Sequence, residues 1–212
     1  LPEGKNLVGA FHQPAAIVID IALLAGLPER ERRAALGEAV KMGALGDERL
    51  LDLLEARGAA IAGSDPSAVL DGSIAELVER CAWAKVEVVA ADEKEAAVRI
   101  ALNLGHSLGH ALEAAGGYRD LRHGEAVGYG LRAACRIGVA AGVTPPDRAA
   151  RIERLLDELG LGAGTLPYSL DAVLDHLATD KKRRGGRLRW VLPTATGYVV
   201  RDDIDDELVL DV

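Results

Sequence analysis

Residues 99–125, RIALNLGHSLGHALEAAGGYRDLRHGE, decide how this chain is read. Five histidines occur in 212 residues, and three of them, His106, His110 and His123, fall in this stretch. Read as one helix from Arg99 to Glu113, the stretch sets Arg99, Asn103, His106 and His110 at i, i+4, i+7 and i+11, on a single face. Leu104, Leu108 and Leu112 then point the other way. A solvated face in this chain would be expected to carry Glu, Arg or Asp, so a stripe of Asn and His asks for another purpose. Two imidazoles one turn apart can reach one metal ion, and Gly105 and Gly109 let a neighbouring backbone come close. Such pairs also arise by chance on helices. His123, expected in a polar loop and followed at once by Gly124 and Glu125, offers the further ligand that a separate element normally supplies.

Outward from this stretch, composition narrows the fold. Hydrophobic residues make up 49% of the chain but aromatics only 3%. The core must therefore be built from Ala, Leu and Val, which suits closely packed helices, in one domain or two small ones. A formal charge of -8 leaves no extended basic surface for nucleic acid or an anionic membrane, although local basic clusters could hold a small anion. Cys81 and Cys135 sit inside apolar helical patterns and read as core thiols. With no Cys-x-x-Cys, no signal peptide and no apolar run of membrane-spanning length, the expectation is a cytoplasmic protein. The chain opens on Leu-Pro-Glu-Gly with no initiator Met, which raises the expectation of a fragment or a processed domain.

Towards the N-terminus, Lys5 to Pro14 reads as a loop, and Ala16 to Ile19 (AIVI) as a short strand closed by Asp20. Pro28, with Glu29 and Glu31 after it, starts a helix through Ala44. On that helix Glu38 shares a face with Ala34, Ala35, Lys41 and Met42: an acid buried for a reason, or one at a crossing rim. A second helix is expected over Asp47 to Ala56 with Gly58 as its end. A long one follows from Ser67 to Ala90, its apolar stripe at Leu70, Ile74, Leu77, Cys81 and Val88. Lys85 is in register with that stripe, so it either snorkels to water or faces a cavity that wants a cation.

Beyond His123, Gly124 to Ala141 reads as a close-packing helix ending at Gly142. Pro145-Pro146 opens another to about Leu159, stopped by Gly160, and Ser169 caps a further one through Leu177. The basic run Asp180-Lys181-Lys182-Arg183-Arg184-Gly185-Gly186 is a solvated turn or an anion clamp. Residues 187–192 and Tyr198 to Arg201 alternate as a small hairpin around Pro193 to Gly197. There is no dinucleotide-binding Gly-x-Gly-x-x-Gly after a strand and no phosphate-binding Walker loop.

Taken together, GKN at Gly4 to Asn6, GAFHQP at Gly9 to Pro14, GEAVKMG at Gly37 to Gly43, AKVEVVAADE at Ala84 to Glu93, LNLGHSLGHALE at Leu102 to Glu113, HGEAVGYG at His123 to Gly130 and DKK at Asp180 to Lys182 resemble 3-dehydroquinate synthase. The resemblance covers nearly the whole chain. It implies the mainly α, multi-helix C-terminal domain of that fold with a few short strands, residues 1–20 being an interdomain segment and 21–212 the helical metal and substrate domain. It also implies Glu38, His106 and His123 as ligands of zinc, with cobalt the other candidate. His110 then becomes a non-ligand, available for proton transfer or substrate binding. Lys85, Arg99, Asn103 and Lys181 match substrate-contacting positions, and Lys41 lies in a similar motif. Lys5 and Asn6 match positions near the NAD cofactor.

The implied reaction converts the small sugar phosphate 3-deoxy-D-arabino-heptulosonate 7-phosphate to 3-dehydroquinate and phosphate, in a cytoplasmic homodimer of the shikimate pathway. The family's Asp and Gly-Gly-Lys segment ahead of GKN are missing, so the 212 residues alone are expected to bind zinc at most and not to catalyse. Rival readings are another sugar phosphate cyclase, making valiolone or a deoxy-inosose, a glycerol-dehydrogenase-like metal enzyme, and a zinc-stabilised helical scaffold.

Overall fold

A computed structural model describes residues 8–9, 12–63, 65–93, 98–183 and 188–210. Lys5 and Asn6 lie outside them, as do residues 184–186 of the basic run and the first residue of the expected strand over 187–192. In chain order the helices are α1 (Glu29–Ala44), α2 (Glu48–Gly63), α3 (Pro66–Leu70), α4 (Ser73–Ala91), α5 (His106–Ala115), α6 (His123–Ala140), α7 (Pro146–Glu158) and α8 (Leu170–Arg183). A two-stranded antiparallel hairpin, β1 (Trp190–Pro193) and β2 (Tyr198–Arg201), and a short α9 (Asp206–Leu210) follow. Short 3-10 helices cover Ile21–Gly26 and Val98–Asn103. Among the described residues, no helix is long and apolar enough to cross a membrane.

The main core joins α1, α2, α6 and α7 through Leu36, Val40, Leu50, Leu54, Leu131, Ile152 and Leu156, with β1 laid against α6. Each such buried side chain contributes about 1.5–3 kcal/mol of transfer free energy. The aliphatic core expected from composition is what forms. A smaller cluster fastens α5 to α8 through Leu112, Ala126, Val173 and Leu177. Charged pairs close the rim, the densest being Arg151 on α7 with Glu48, Asp52 and Glu55 on α2 at 2.7 to 2.8 Å.

Several boundaries differ from the sequence reading, each for a local reason. The expected strand over Ala16 to Ile19 has no strand structure, and Ile17, Val18 and Ile19 are exposed. A strand needs a paired edge for its N–H and C=O groups, and among the described residues only β1 and β2 pair. Asp20 instead accepts the Ala22 N–H at 3.0 Å and opens a 3-10 turn. Gly58 does not end α2. It sits inside the helix where the Leu159 side chain packs against it, and a Cβ there would lie 2.8 Å from Leu159 Cδ2.

The long helix expected from Ser67 to Ala90 is two, α3 and α4, divided by Gly72 at φ 79. Ser169 does cap α8, its Oγ accepting the Ala172 N–H at 3.4 Å, but the helix runs on to Arg183. The Asp180 to Arg183 part of the basic run is therefore helical.

The central stretch is not one helix either. Val98–Asn103 is 3-10, Gly105 turns the chain at φ 76, and α5 begins at His106. A left-handed residue at that point favours glycine. His123, expected in a loop, is the first residue of α6.

Candidate metal centre

Each candidate ligand has a glycine beside it in sequence, and those glycines bring the ligands together. Gly37, next to Glu38 on α1, lies against the backbone of Gly124, next to His123 on α6, so closely that a Cβ on Gly37 would overlap the Gly124 carbonyl oxygen. A Cβ on Gly124 would in turn overlap the Ala34 carbonyl oxygen. On the other side of α6, a Cβ on Gly130 would overlap the carbonyl oxygen of Gly105, the residue before His106. Backbone contact between helices thus delivers Glu38, His106 and His123 to one point. The start of α6 is further pinned by Glu125, which accepts the Arg122 N–H at 2.9 Å and pairs with Arg30 at 2.6 and 2.7 Å.

Glu38 Oε1 lies 3.3 Å from His106 Nε2 and 3.1 Å from His123 Nε2. The three ligand atoms fall within 4.8 Å of one another. His106 Nδ1 is 3.0 Å from the Leu104 carbonyl oxygen and His123 Nδ1 is 3.1 Å from Glu113 Oε2. With Nδ1 donating to those acceptors, each ring offers its Nε2 lone pair to the same carboxylate oxygen. Three acceptors converging on one point need a cation or a proton between them.

Glu38 Oε1 is buried with no hydrogen bond of acceptable geometry, consistent with that conflict. Ligands about 2.0–2.1 Å from a tetrahedral zinc sit about 3.3 Å apart, so these separations fit that ion. One carboxylate with two imidazoles also leaves positions open, as a catalytic zinc requires.

Charge follows the same geometry. Burial works to raise the Glu38 carboxyl, but the two imidazoles and the Lys41 ammonium outweigh it and hold the group far below the usual carboxylate range. His123, set between the Glu113 and Glu38 carboxylates, is pushed up to about 9. Lys41 is almost wholly buried, its Nζ 2.6 Å from Glu38 Oε2 and 3.0 Å from the Leu102 carbonyl oxygen. Burial pulls its ammonium downward despite that pairing.

The centre forms one wall of a cavity of about 840 Å³. Lys85, Arg99, Asn103, His110 and Lys41 line it, with Leu77, Val78 and Cys81 as the apolar side. Lys85 therefore faces a cavity. Burial pushes the Cys81 thiol up to about 11, which keeps it an apolar surface. The three imidazoles stack edge and face, with centroids 5.0 to 5.9 Å apart.

Glu38, His106, His123, His110, Lys41, Lys85, Arg99 and Asn103 all line this one cavity, although spacing alone grouped only Arg99, Asn103, His106 and His110. Lys181 is known here only as a helical position near the end of α8. Missed altogether were Glu113, which is buried, and Asp92, whose Oδ2 accepts the Arg99 N–H at 3.0 Å and ties the end of α4 to the 3-10 turn. Glu113 stands seven residues after His106 on the same helix face, which was the available signal.

Fold and site define a helical domain in which Glu38, His106 and His123 could hold a metal ion beside a pocket lined by cationic side chains. The family model described as 3-dehydroquinate synthase C-terminal matches residues 35–183, and the one described as 3-dehydroquinate synthase N-terminal matches residues 1–34. The chain belongs to the 3-dehydroquinate synthase family. A 3-dehydroquinate synthase from Synechococcus sp. (strain CC9605) is 45% identical over 210 residues, covering 99% of this chain and 56% of that protein. One from Symbiobacterium thermophilum is 44% identical over 203 residues, covering 94% of this chain and 55% of that protein.

The chain therefore spans a little over half the length of these relatives. Among solved structures, 2-epi-5-epi-valiolone synthase from Streptomyces hygroscopicus subsp. jinggangensis 5008, with NAD+ and Zn2+ bound, superposes with TM-score 0.87 at 26% identity, over 100% of this chain and 58% of that one. A 2-deoxy-scyllo-inosose synthase shares the fold at TM-score 0.75 and 22% identity, over 100% of this chain and 58% of that one.

Proposed function

We propose that this chain is the metal- and substrate-binding part of a 3-dehydroquinate synthase, acting on 3-deoxy-D-arabino-heptulosonate 7-phosphate to give 3-dehydroquinate and phosphate. The observation that carries this reading is the convergence of Glu38, His106 and His123 on one wall of a cavity whose other walls hold Lys85, Arg99 and Asn103. When bound, zinc supplies Lewis-acid polarisation of a substrate hydroxyl and carbonyl, and NAD supplies reversible hydride acceptance.

The chain's own residues do the rest. Lys85 and Arg99 hold the carboxylate and phosphate of the substrate by charge-assisted hydrogen bonds. Asn103 orients a hydroxyl, and Lys41 fixes Glu38 through its Oε2, leaving Oε1 for the metal. His110 accepts or returns a proton at its imidazole nitrogen, close to the metal centre but outside the ligand set. The family resemblance assigns Lys181 to the substrate, and Lys5 and Asn6 to the NAD side.

Residues 1–20 are read as a segment between two domains and 21–212 as the helical one, a division supported by the exposure of Ile17 and Val18. On the strength of the resemblance, the working form is a cytoplasmic homodimer. The test is phosphate release from the heptulosonate phosphate by the purified full-length protein with zinc and NAD, with the carbocyclic product identified by mass and NMR. Dehydroquinate supports the reading. A valiolone from a sugar phosphate without a carboxylate would favour the other cyclase, whose fold is so close.

A further inference from the structure

Glu113 is a carboxylate where a carboxylate is costly. It is 3% exposed, on a helix whose neighbouring residues Ala111 and Leu112 pack into the apolar cluster with α8. A carboxylate taken out of water costs several kcal/mol unless it is paired. His123 supplies a pairing: its Nδ1 lies 3.1 Å from Glu113 Oε2, while the Nε2 of the same ring lies 3.1 Å from Glu38 Oε1. His106 shows the same device with a backbone acceptor, Nδ1 on the Leu104 carbonyl and Nε2 towards Glu38. His123 opens α6, where the positive end of the helix makes an imidazole a poorer electron donor. An anionic acceptor on Nδ1 offsets that and raises the basicity of Nε2.

We infer that Glu113 is a positioning residue of the metal centre: it accepts the Nδ1–H of His123, fixes the tautomer and rotation of that ring, and so aims Nε2 at the cation held with Glu38 and His106. The inference rests on the metal reading given under Proposed function. A rival arrangement exists, since His110, Glu113 and His123 also bring ligand atoms within 4.8 Å of one another. There Glu113 would itself be a ligand. Burial argues against it, because Glu113 is enclosed while His110 is exposed.

The test reads metal binding, not turnover. Glu113→Gln keeps the shape and removes the charge, and Glu113→Met removes the acceptor as well in a form that suits apolar surroundings. Stripped with chelator and titrated with Co2+, the purified Gln variant should bind about 10-fold more weakly than wild type and the Met variant up to about 100-fold. The visible spectrum of bound cobalt should change in both, while far-UV circular dichroism stays as in wild type. A folded variant with wild-type affinity and spectrum would overturn the inference.

A second readout needs no variant. In the zinc-loaded wild type, imidazole 15N NMR should find His123 protonated at Nδ1 and metal-bound at Nε2. Metal on Nδ1 would sink the positioning role in favour of the rival triad. Wild type that binds no cobalt would defeat the metal reading itself, a result distinct from either.

Discussion

The two walls of the cavity are built by different means. On the metal wall, Glu38, His106 and His123 hang from backbones in contact at Gly37, Gly124, Gly105 and Gly130, and three of their partners, Lys41, Glu113 and the Leu104 carbonyl, hold the side chains in turn. On the cationic wall, Lys85 projects from the exposed side of α4 and Arg99 from a 3-10 turn tied down by Asp92. The difference matches the roles proposed for each. Metal ligands must be placed to tenths of an ångström, whereas a long ammonium or guanidinium can follow an anion over a wider range.

The metal wall is most sensitive at its glycines. Gly124→Ala places a methyl group onto the Ala34 carbonyl oxygen, a backbone that cannot move without shifting α1. Overpacking of that kind costs about 3 kcal/mol or more, so thermal unfolding should come roughly 6–12 °C lower, with metal lost as well. An unchanged melting temperature would mean that the helices are not held by this contact.

The cationic wall should behave in the opposite way. Lys85→Ala and Arg99→Ala should keep both the fold and the metal, yet weaken binding of an anionic substrate or analogue by roughly 10- to 100-fold each, the worth of a charge-assisted hydrogen bond. Calorimetry beside elemental analysis separates the two effects. If either variant loses metal, the two walls are one unit.

The cysteines sharpen the contrast between pocket lining and core. Burial pushes Cys135 up to about 12 and Cys81 to about 11, and a thiol is nucleophilic only as thiolate. Iodoacetamide at pH 8 should leave Cys135 unlabelled and label Cys81 more slowly than a free thiol. Denaturant should expose both. Fast labelling of Cys81 would mean that the pocket's apolar side is open.

The smallest effect belongs to the rim. Arg151 draws the Glu55 carboxyl below its ordinary value. A depressed folded pKa means that this stabilisation is present above the ordinary carboxylate value and lost as pH falls through the folded one. With solvent screening, Glu55→Gln should cost about 0.5 kcal/mol at pH 7 and nothing once the carboxyl is protonated in both states. Denaturant melts at the two pH values would measure it.

Part of the candidate site was legible because polar side chains interrupt a helical pattern, while the ligand set itself came only from the family resemblance. Asn103, His106 and His110 stood out on a face where Glu and Arg were expected, and Glu38 among small apolar neighbours. The elements between them were harder. Gly105 reads equally as a close-packing residue inside a helix and as the left-handed joint it is, and only the tertiary contact with Gly130 decides. The same ambiguity hid the continuation of α2 through Gly58. AIVI carries strand residues, but strand formation depends on a partner edge that no local pattern reports. Glu113 escaped notice because an acid at the end of a helix looks solvated until its burial is known.

Binding of one divalent cation by Glu38, His106 and His123 underlies every role proposed for this cavity. Its most direct test is zinc content by elemental analysis of the purified protein, wild type beside Glu38→Ala, His106→Ala and Lys85→Ala. We expect about one zinc per chain in wild type and in Lys85→Ala, with loss in Glu38→Ala and His106→Ala at unchanged helicity. Zinc retained in folded Glu38→Ala or His106→Ala, or none in wild type after incubation with the metal, would contradict it.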